Sequence, residues 1–219
     1  MTPDDIRAAD RADLLAWLEP RPWRVRRAAL RIRFAHDRAW MLAACWPDVY
    51  RGAMGRARRT VLDLVPILPP VDEREGIARY SVEAPRGLAK TTLAKGIVAH
   101  ALVTGAARYV IWGGASEPEA QRNARDIRRM LEAGSDLFRG LYGPISTAGG
   151  VRDWTADVAG RAVKVSARGV PRGQWRGSNF GPHRFDLVVL DDIEKPKDVA
   201  NPRLRDELSE FLQSDVDQG

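Results

Sequence analysis

A chain of 219 residues is long enough to bury one substantial α/β core, and its 44% hydrophobic and 29% charged content are globular values. No apolar run approaches the roughly 20 residues that span a bilayer, and the N-terminus, MTPDDIRAADRADLL, has no apolar signal core, so a membrane role and a secretory leader are not expected. The net charge of +6 permits a polyanionic partner, although a bias towards arginine weakens that inference, and the single cysteine, Cys45, fits a reducing cytoplasm because it has no internal disulfide partner.

Residues 1–70 read as an N-terminal helical segment. Leu14, Leu15 and Leu18 lie at helical spacing, as do Leu30, Phe34, Met41, Leu42 and Cys45. EPRPW, from Glu19, breaks the segment into two helical pieces, and the proline-rich VPILPPVD connects it to a core domain over 71–219. There the pattern alternates. ARYSVEA reads as a strand, KTTLAKGIVAHALVTG as a helix ending at Gly105, and ARYVIWGGA as a second strand. A helix is expected from about Pro118 to Leu131, then a hairpin in DWTADVAGRAVKVSA turning near Ala159 and Gly160. FDLVVLDD reads as a strand buried on both faces, and a last helix opens with Asn201 as cap and Pro202 at its first position. This order implies a mostly parallel sheet covered by helices on both sides.

Chemistry concentrates at two places. APRGLAKTT approximates the phosphate loop G-x-x-x-x-G-K-[ST], with Ala84 and Ala89 at the two glycine positions. A strand leads into it and a helix follows from Lys90, so backbone N–H groups at the helix start would face phosphates. Lys90 is placed to reach the β/γ-phosphates of ATP, and the Thr91 hydroxyl to ligate Mg²⁺; Thr92 is the helix residue after it. The two alanines imply backbone angles that an alanine tolerates. The second place is LVVLDD. A P-loop enzyme needs an acid at the tip of a neighbouring strand to hold the Mg²⁺ shell, and Asp191 fits. A further acid polarises the attacking water; Asp192 and Glu194 are both candidates, with Asp192 favoured for its position next to Asp191. The bland alternative is a solvated strand end.

APRGLAKTT resembles the variant Walker A of phage terminase large subunits, and RGSNFGPHRFDLVVLDDIE resembles the stretch that leads to their Walker B. The likeness covers about 79–195 and is weak over the N-terminal helices. It implies a P-loop NTPase fold of the RecA-like, ASCE kind and the ATP-driven motor domain of a DNA-packaging enzyme. By motif position it implies phosphate contacts from Pro85, Arg86, Gly87, Leu88, Ala89, Lys90, Thr91 and Thr92. It assigns Mg²⁺ to Thr91 and Asp191, and catalytic roles to Asp192 or Glu194, with Arg86 sensing the γ-phosphate. Implied partners are double-stranded DNA, a portal protein and procapsid, a small terminase subunit, and further copies in a homo-oligomeric ring, with a monomer in isolation. The implied location is the host cytoplasm. Family members continue into an RNase H-like nuclease, so no nuclease activity is expected of this chain. Arg176 and Gly177 are followed by Ser178 and Asn179, where many relatives carry another arginine.

Other readings are a DNA-associated helicase, an AAA+ loader, or an assembly protein with a vestigial loop. The three histidines lack metal-ligand spacing, most of the seven tryptophans suit a core, and RNARDIRRM reads as the solvated basic face of a helix.

Overall fold

Period-2 alternation in one short strand organises the molecule. In β1 (Tyr109–Gly114), Val110 and Trp112 point into one apolar cluster, and Tyr109 and Ile111 into a second one across the sheet. The computed structural model describes residues 1–50, 55–74, 78–85, 87–170, 175, 177–193 and 202–211. Five strands make the main sheet: β2 (Thr147–Gly149), β3 (Asp153–Val158), β4 (Arg161–Gly169), β1 and β7 (Leu187–Asp191), in the order β2-β3-β4-β1-β7. β4, β1 and β7 are parallel, while β2 and β3 add antiparallel. The sheet is therefore mixed, with a parallel centre. A short hairpin of β5 (Asn179–Phe180) and β6 (His183–Arg184) stands apart from it.

The β3–β4 hairpin forms as its sequence indicates. Ala159 and Gly160 both have positive φ, 54° and 82°, and the Gly160 amide donates to Asp157 Oδ1 at 2.9 Å. Two successive left-handed residues match the twist of a two-residue hairpin.

One face of the sheet is covered by α7 (Lys90–Thr104) and α8 (Glu117–Glu132), the same two helices the pattern indicates. Gly105, at φ 87°, ends α7 as a left-handed cap. Above them lie the N-terminal helices: α1 (Pro3–Ala8), α2 (Arg11–Leu18), α3 (Trp23–His36), α4 (Arg38–Cys45), α5 (Pro47–Tyr50) and α6 (Arg56–Leu64). The expected two helical pieces are thus six short helices, because caps at Thr2, Asp10 and Asp37 each accept a hydrogen bond from the turn that follows and restart the chain. One continuous apolar cluster runs from Leu14, Phe34 and Leu42 through Leu93 and Leu102 to Trp112 and Val165. α9 (Asp136–Tyr142), which the sequence pattern did not reveal, joins it through Phe138 and Leu141. The opposite face has a thinner cover, in which Trp175, Phe180 and Phe211 pack on Tyr109 and Ile111. Phe211 belongs to the helix Pro202–Phe211; its expected cap, Asn201, lies outside the described residues. Four of the seven tryptophans, Trp46, Trp112, Trp154 and Trp175, are buried.

One expectation fails and one holds in part. Residues 78–85 are not a strand: they carry no ladder pairing, though Val82 and Ala84 still pack on the core. β7 has apolar cover on both faces, Leu187 and Val189 against one cluster and Val188 and Leu190 against the other, but it is only half-buried along its length because it is an edge strand of the described sheet.

Candidate functional site

Parallel strands bring their carboxyl ends to one rim, and the strand order reverses direction at β1: the chain leaves β1 through α8 towards β4 and later returns to β7 on the other side. A crevice outside the strand tips at such a reversal is where open α/β sheets bind ligands. In register, Gly114 of β1 lies beside Asp191 of β7 and Gly169 of β4. The glycines matter at this rim. A Cβ on Gly169 would meet the Glu117 amide nitrogen at 3.0 Å, and one on Gly114 the Ala120 nitrogen at 3.2 Å, so small residues let the first turn of α8 settle on the strand ends.

The expected phosphate loop arrives at the same rim. Gly87 has φ 88°, and Ala89, the residue before α7, has φ 56° and ψ 38°. Ala89 is therefore left-handed, against the expectation that the alanines keep ordinary angles; Ala84 is not among the positive-φ residues. A left-handed alanine costs about 1–2 kcal/mol. The Ala89 carbonyl nevertheless accepts the first helical bond of α7, from the Leu93 amide at 2.9 Å. Lys90 donates its amine to the Ala84 carbonyl, which folds the side chain back over the loop. Thr92 has its carbonyl bonded by the Tyr50 hydroxyl at 2.8 Å, tying the loop end to the N-terminal helices. Pro85 and Gly87 are exposed and Leu88 is half-buried against the core.

The two halves of the site meet through one hydrogen bond: the Thr91 hydroxyl donates to Asp191 Oδ1 at 3.1 Å, across 100 residues of chain. Asn123 of α8 presents its amide nitrogen 3.5 Å from the other oxygen, Oδ2. Burial pushes the Asp191 carboxyl above its ordinary range. The Thr91 bond opposes this, Asp192 reinforces it, and Lys95 and Lys90 pull the other way. Asp192 is exposed and left-handed at φ 47°, a conformation aspartate tolerates better than most residues. Lys95, one turn beyond Thr91, donates to Asp126 of α8 at 2.6 Å.

A hydroxyl and a carboxylate converging at about hydrogen-bond distance are hard oxygen donors of the kind that hold Mg²⁺ with several waters retained. Thr91 and Asp191 thus fit a Mg²⁺ ion by their donor chemistry. Arg86 and Glu194, both sequence candidates, lie outside the described residues, as does Arg176. The sequence reading missed Asn123, Asp126 and Lys95. The available signal was spacing: Lys95 follows Thr91 by four, and Asp126 follows Asn123 by three, so each pair shares a helix face.

The base of β7 is fixed separately. Asp186 accepts the amides of Arg108 at 2.9 Å and Tyr109 at 3.2 Å, and Arg74 donates to its carbonyl at 2.7 Å. Comparison of the chain with protein-family models, curated proteins and solved structures finds no match.

Proposed function

We propose that this chain is a Mg²⁺-dependent ATPase of the P-loop kind, the motor domain of a viral DNA-packaging terminase large subunit. The observation that carries the proposal is the Thr91–Asp191 hydrogen bond, which joins the helix start after the loop to the tip of a parallel strand. A nucleotide-hydrolysing site of this class needs those two elements in contact.

In this reading the amide groups at the start of α7 receive the phosphates, aided by the partial positive charge of a helix N-terminus. Lys90 has three protons to donate, so one stays with the Ala84 carbonyl while the others reach phosphate oxygens. Thr91 and Asp191 would hold Mg²⁺, which when bound neutralises charge on the phosphates. Asp192, or Glu194 beyond it, orients the attacking water and accepts its proton. Asp192 is exposed next to Asp191, as that role requires. DNA, a portal and procapsid, a small terminase subunit and a ring of like subunits are the partners proposed with this function. Among the described residues no helix is long and apolar enough to cross a membrane.

The experiment is ATP hydrolysis by the purified chain with Mg²⁺ and with EDTA, with and without DNA. Mg²⁺-dependent turnover that Asp191→Asn abolishes is expected; turnover indifferent to both would overturn the proposal. Stimulation by portal or procapsid separates a packaging motor from a helicase or loader.

A further inference from the structure

α8 faces solvent with arginines, yet two of its polar residues reach neighbouring elements. Arg122, Arg125 and Arg129 are exposed, whereas Asn123 reaches the tip of β7, and the partly exposed Asp126 pairs with Lys95 of α7 as well as with Arg129. Each of the two has a partner on a different element. Asn123 lies against Asp191 Oδ2, and Asp126 accepts Lys95, whose side chain is 14% exposed. Lys95 stands four residues after Thr91, and Thr91 donates to Asp191 Oδ1. The contacts close a ring: Thr91 to Asp191, Asp191 to Asn123, along α8 to Asp126, across to Lys95, and back along α7 to Thr91. Ala120 and Ala124 on the same helix are buried, with Ala120 close against Gly114 of β1 and the Ala124 carbonyl accepting the Trp154 indole N–H.

The two oxygens of Asp191 therefore have donors from two different helices. A lone hydroxyl fixes one oxygen and leaves the carboxylate free to rotate about it. A second donor on the other oxygen sets the plane. We propose that Asn123 is a positioning residue that orients the Asp191 carboxylate for a divalent cation, and that the Lys95–Asp126 pair fixes the α7–α8 spacing on which this contact depends. The inference rests on the reading of Thr91 and Asp191 as a cation site. Partners that orient a metal-binding carboxylate typically change metal affinity 10–100-fold when removed.

The test is a Mn²⁺ titration followed by electron paramagnetic resonance, on the whole chain saturated with a non-hydrolysable ATP analogue. Asn123→Ala should weaken Mn²⁺ binding about tenfold. Asn123→Leu, which keeps the shape of the side chain without its donor, should do the same and serves if the alanine variant folds poorly. Lys95→Met should weaken binding by a smaller factor. Binding of the analogue in EDTA and the melting temperature should stay at wild-type values in the Asn123 variants. A structural role alone would move those two readouts and leave Mn²⁺ affinity intact, which overturns the inference. Wild-type Mn²⁺ affinity in both Asn123 variants, alongside loss in Asp191→Asn, also overturns it while sparing the cation site. If the wild-type chain with the analogue binds no Mn²⁺, the cation site and the inference fall together.

Discussion

The two ends of α7 are built on opposite principles. From Lys90 to Lys95 every residue except Leu93 is only half-buried, and its polar groups reach outward to Ala84, Asp191 and Asp126. From Val98 to Val103 every residue is buried, and the one titratable group, His100, spends its ring nitrogen on the Phe34 carbonyl at 2.9 Å. One helix thus carries adaptable chemistry at its start and fixed packing at its finish. Polar groups in the first region stay available because they are incompletely enclosed; those in the second are satisfied internally, as burial demands. Substitutions should separate along the same line, with activity lost at the first end and stability at the second.

The largest effect is expected from Lys90→Ala. ATP turnover should fall by about two orders of magnitude or more, because phosphoryl transfer relies on positioned charge. The melting temperature should hardly change, since the side chain is half-buried and its hydrogen bond among the described residues is to its own loop. Steady-state hydrolysis beside thermal melting checks both halves, and an unfolded variant would mean that the two ends are less separate than they look.

At the other end, burial pushes the His100 imidazole down to about 4, helped by nearby Arg38. Between about 6.5 and about 4 the unfolded chain binds a proton that the folded chain refuses. Stability from this group is therefore complete above about 6.5 and declines as pH falls, by about 3 kcal/mol across the window. Denaturant unfolding of wild type and His100→Gln at successive pH values should show the wild type losing more. Parallel curves would place the histidine outside the buried region.

The middle of the helix is a tighter test. A Cβ on Gly96 would meet Leu42 Cδ1 at 2.7 Å and the Tyr50 hydroxyl at 2.8 Å. Gly96→Ala should cost about 1–3 kcal/mol by overpacking, despite the better helix propensity of alanine. Urea unfolding would measure it. A gain in stability would show that α4 and α5 give way easily.

The smallest effect belongs to the left-handed residue before the helix. Ala89→Gly relieves a strained angle but frees the unfolded chain, so a net gain of no more than about 1 kcal/mol is expected. A loss in the same urea assay would mean that the alanine methyl packs usefully.

The helix itself was plain in the sequence, as were β1, the β3–β4 hairpin and the acids closing β7. Each is marked by local features: Gly105 as a stop, Ala159 and Gly160 as a turn, and an apolar run that ends abruptly at Asp191. What escaped depends on partners distant in the chain. Residues 78–85 have the composition of a strand, but pairing is decided by the neighbouring edge and not by composition. The addition of β2 as a further antiparallel strand, and the pairing of β4 with β1, follow from connections no periodicity records. At the candidate site, Thr91 and Asp191 were legible through motif spacing. Asn123 and Asp126 were not, because their spacing puts them on one helix face without saying which, and polar residues among arginines fit a solvated face until the strand tip and α7 are placed beside them. Ala89 was misjudged for a related reason: sequence shows which residue lacks a glycine's freedom, not whether the fold imposes the angle anyway.

The far end of α8 gives the Asn123 contact a mechanical side. The Met130 carbonyl there receives the indole N–H of Trp46 at 2.6 Å, and just beyond the helix the Ser135 amide donates to Cys45 at 3.0 Å. α8 is therefore a stiff rod of 16 residues, about 24 Å long, pinned to the strand tip at Asn123, near its middle, and to the N-terminal helices at its far end. The seven residues from Asn123 to Met130 rise about 10 Å, so each degree of tilt about the first pin would displace the second by about 0.2 Å. Hydrogen bonds tolerate only a few such increments before they break. A small rearrangement around Asp191 would then have to be absorbed by bending the rod or passed on as motion of α4 and α5, and hydrogen exchange at the Ser135 amide, slow if the joint holds and fast if it slips, distinguishes the two.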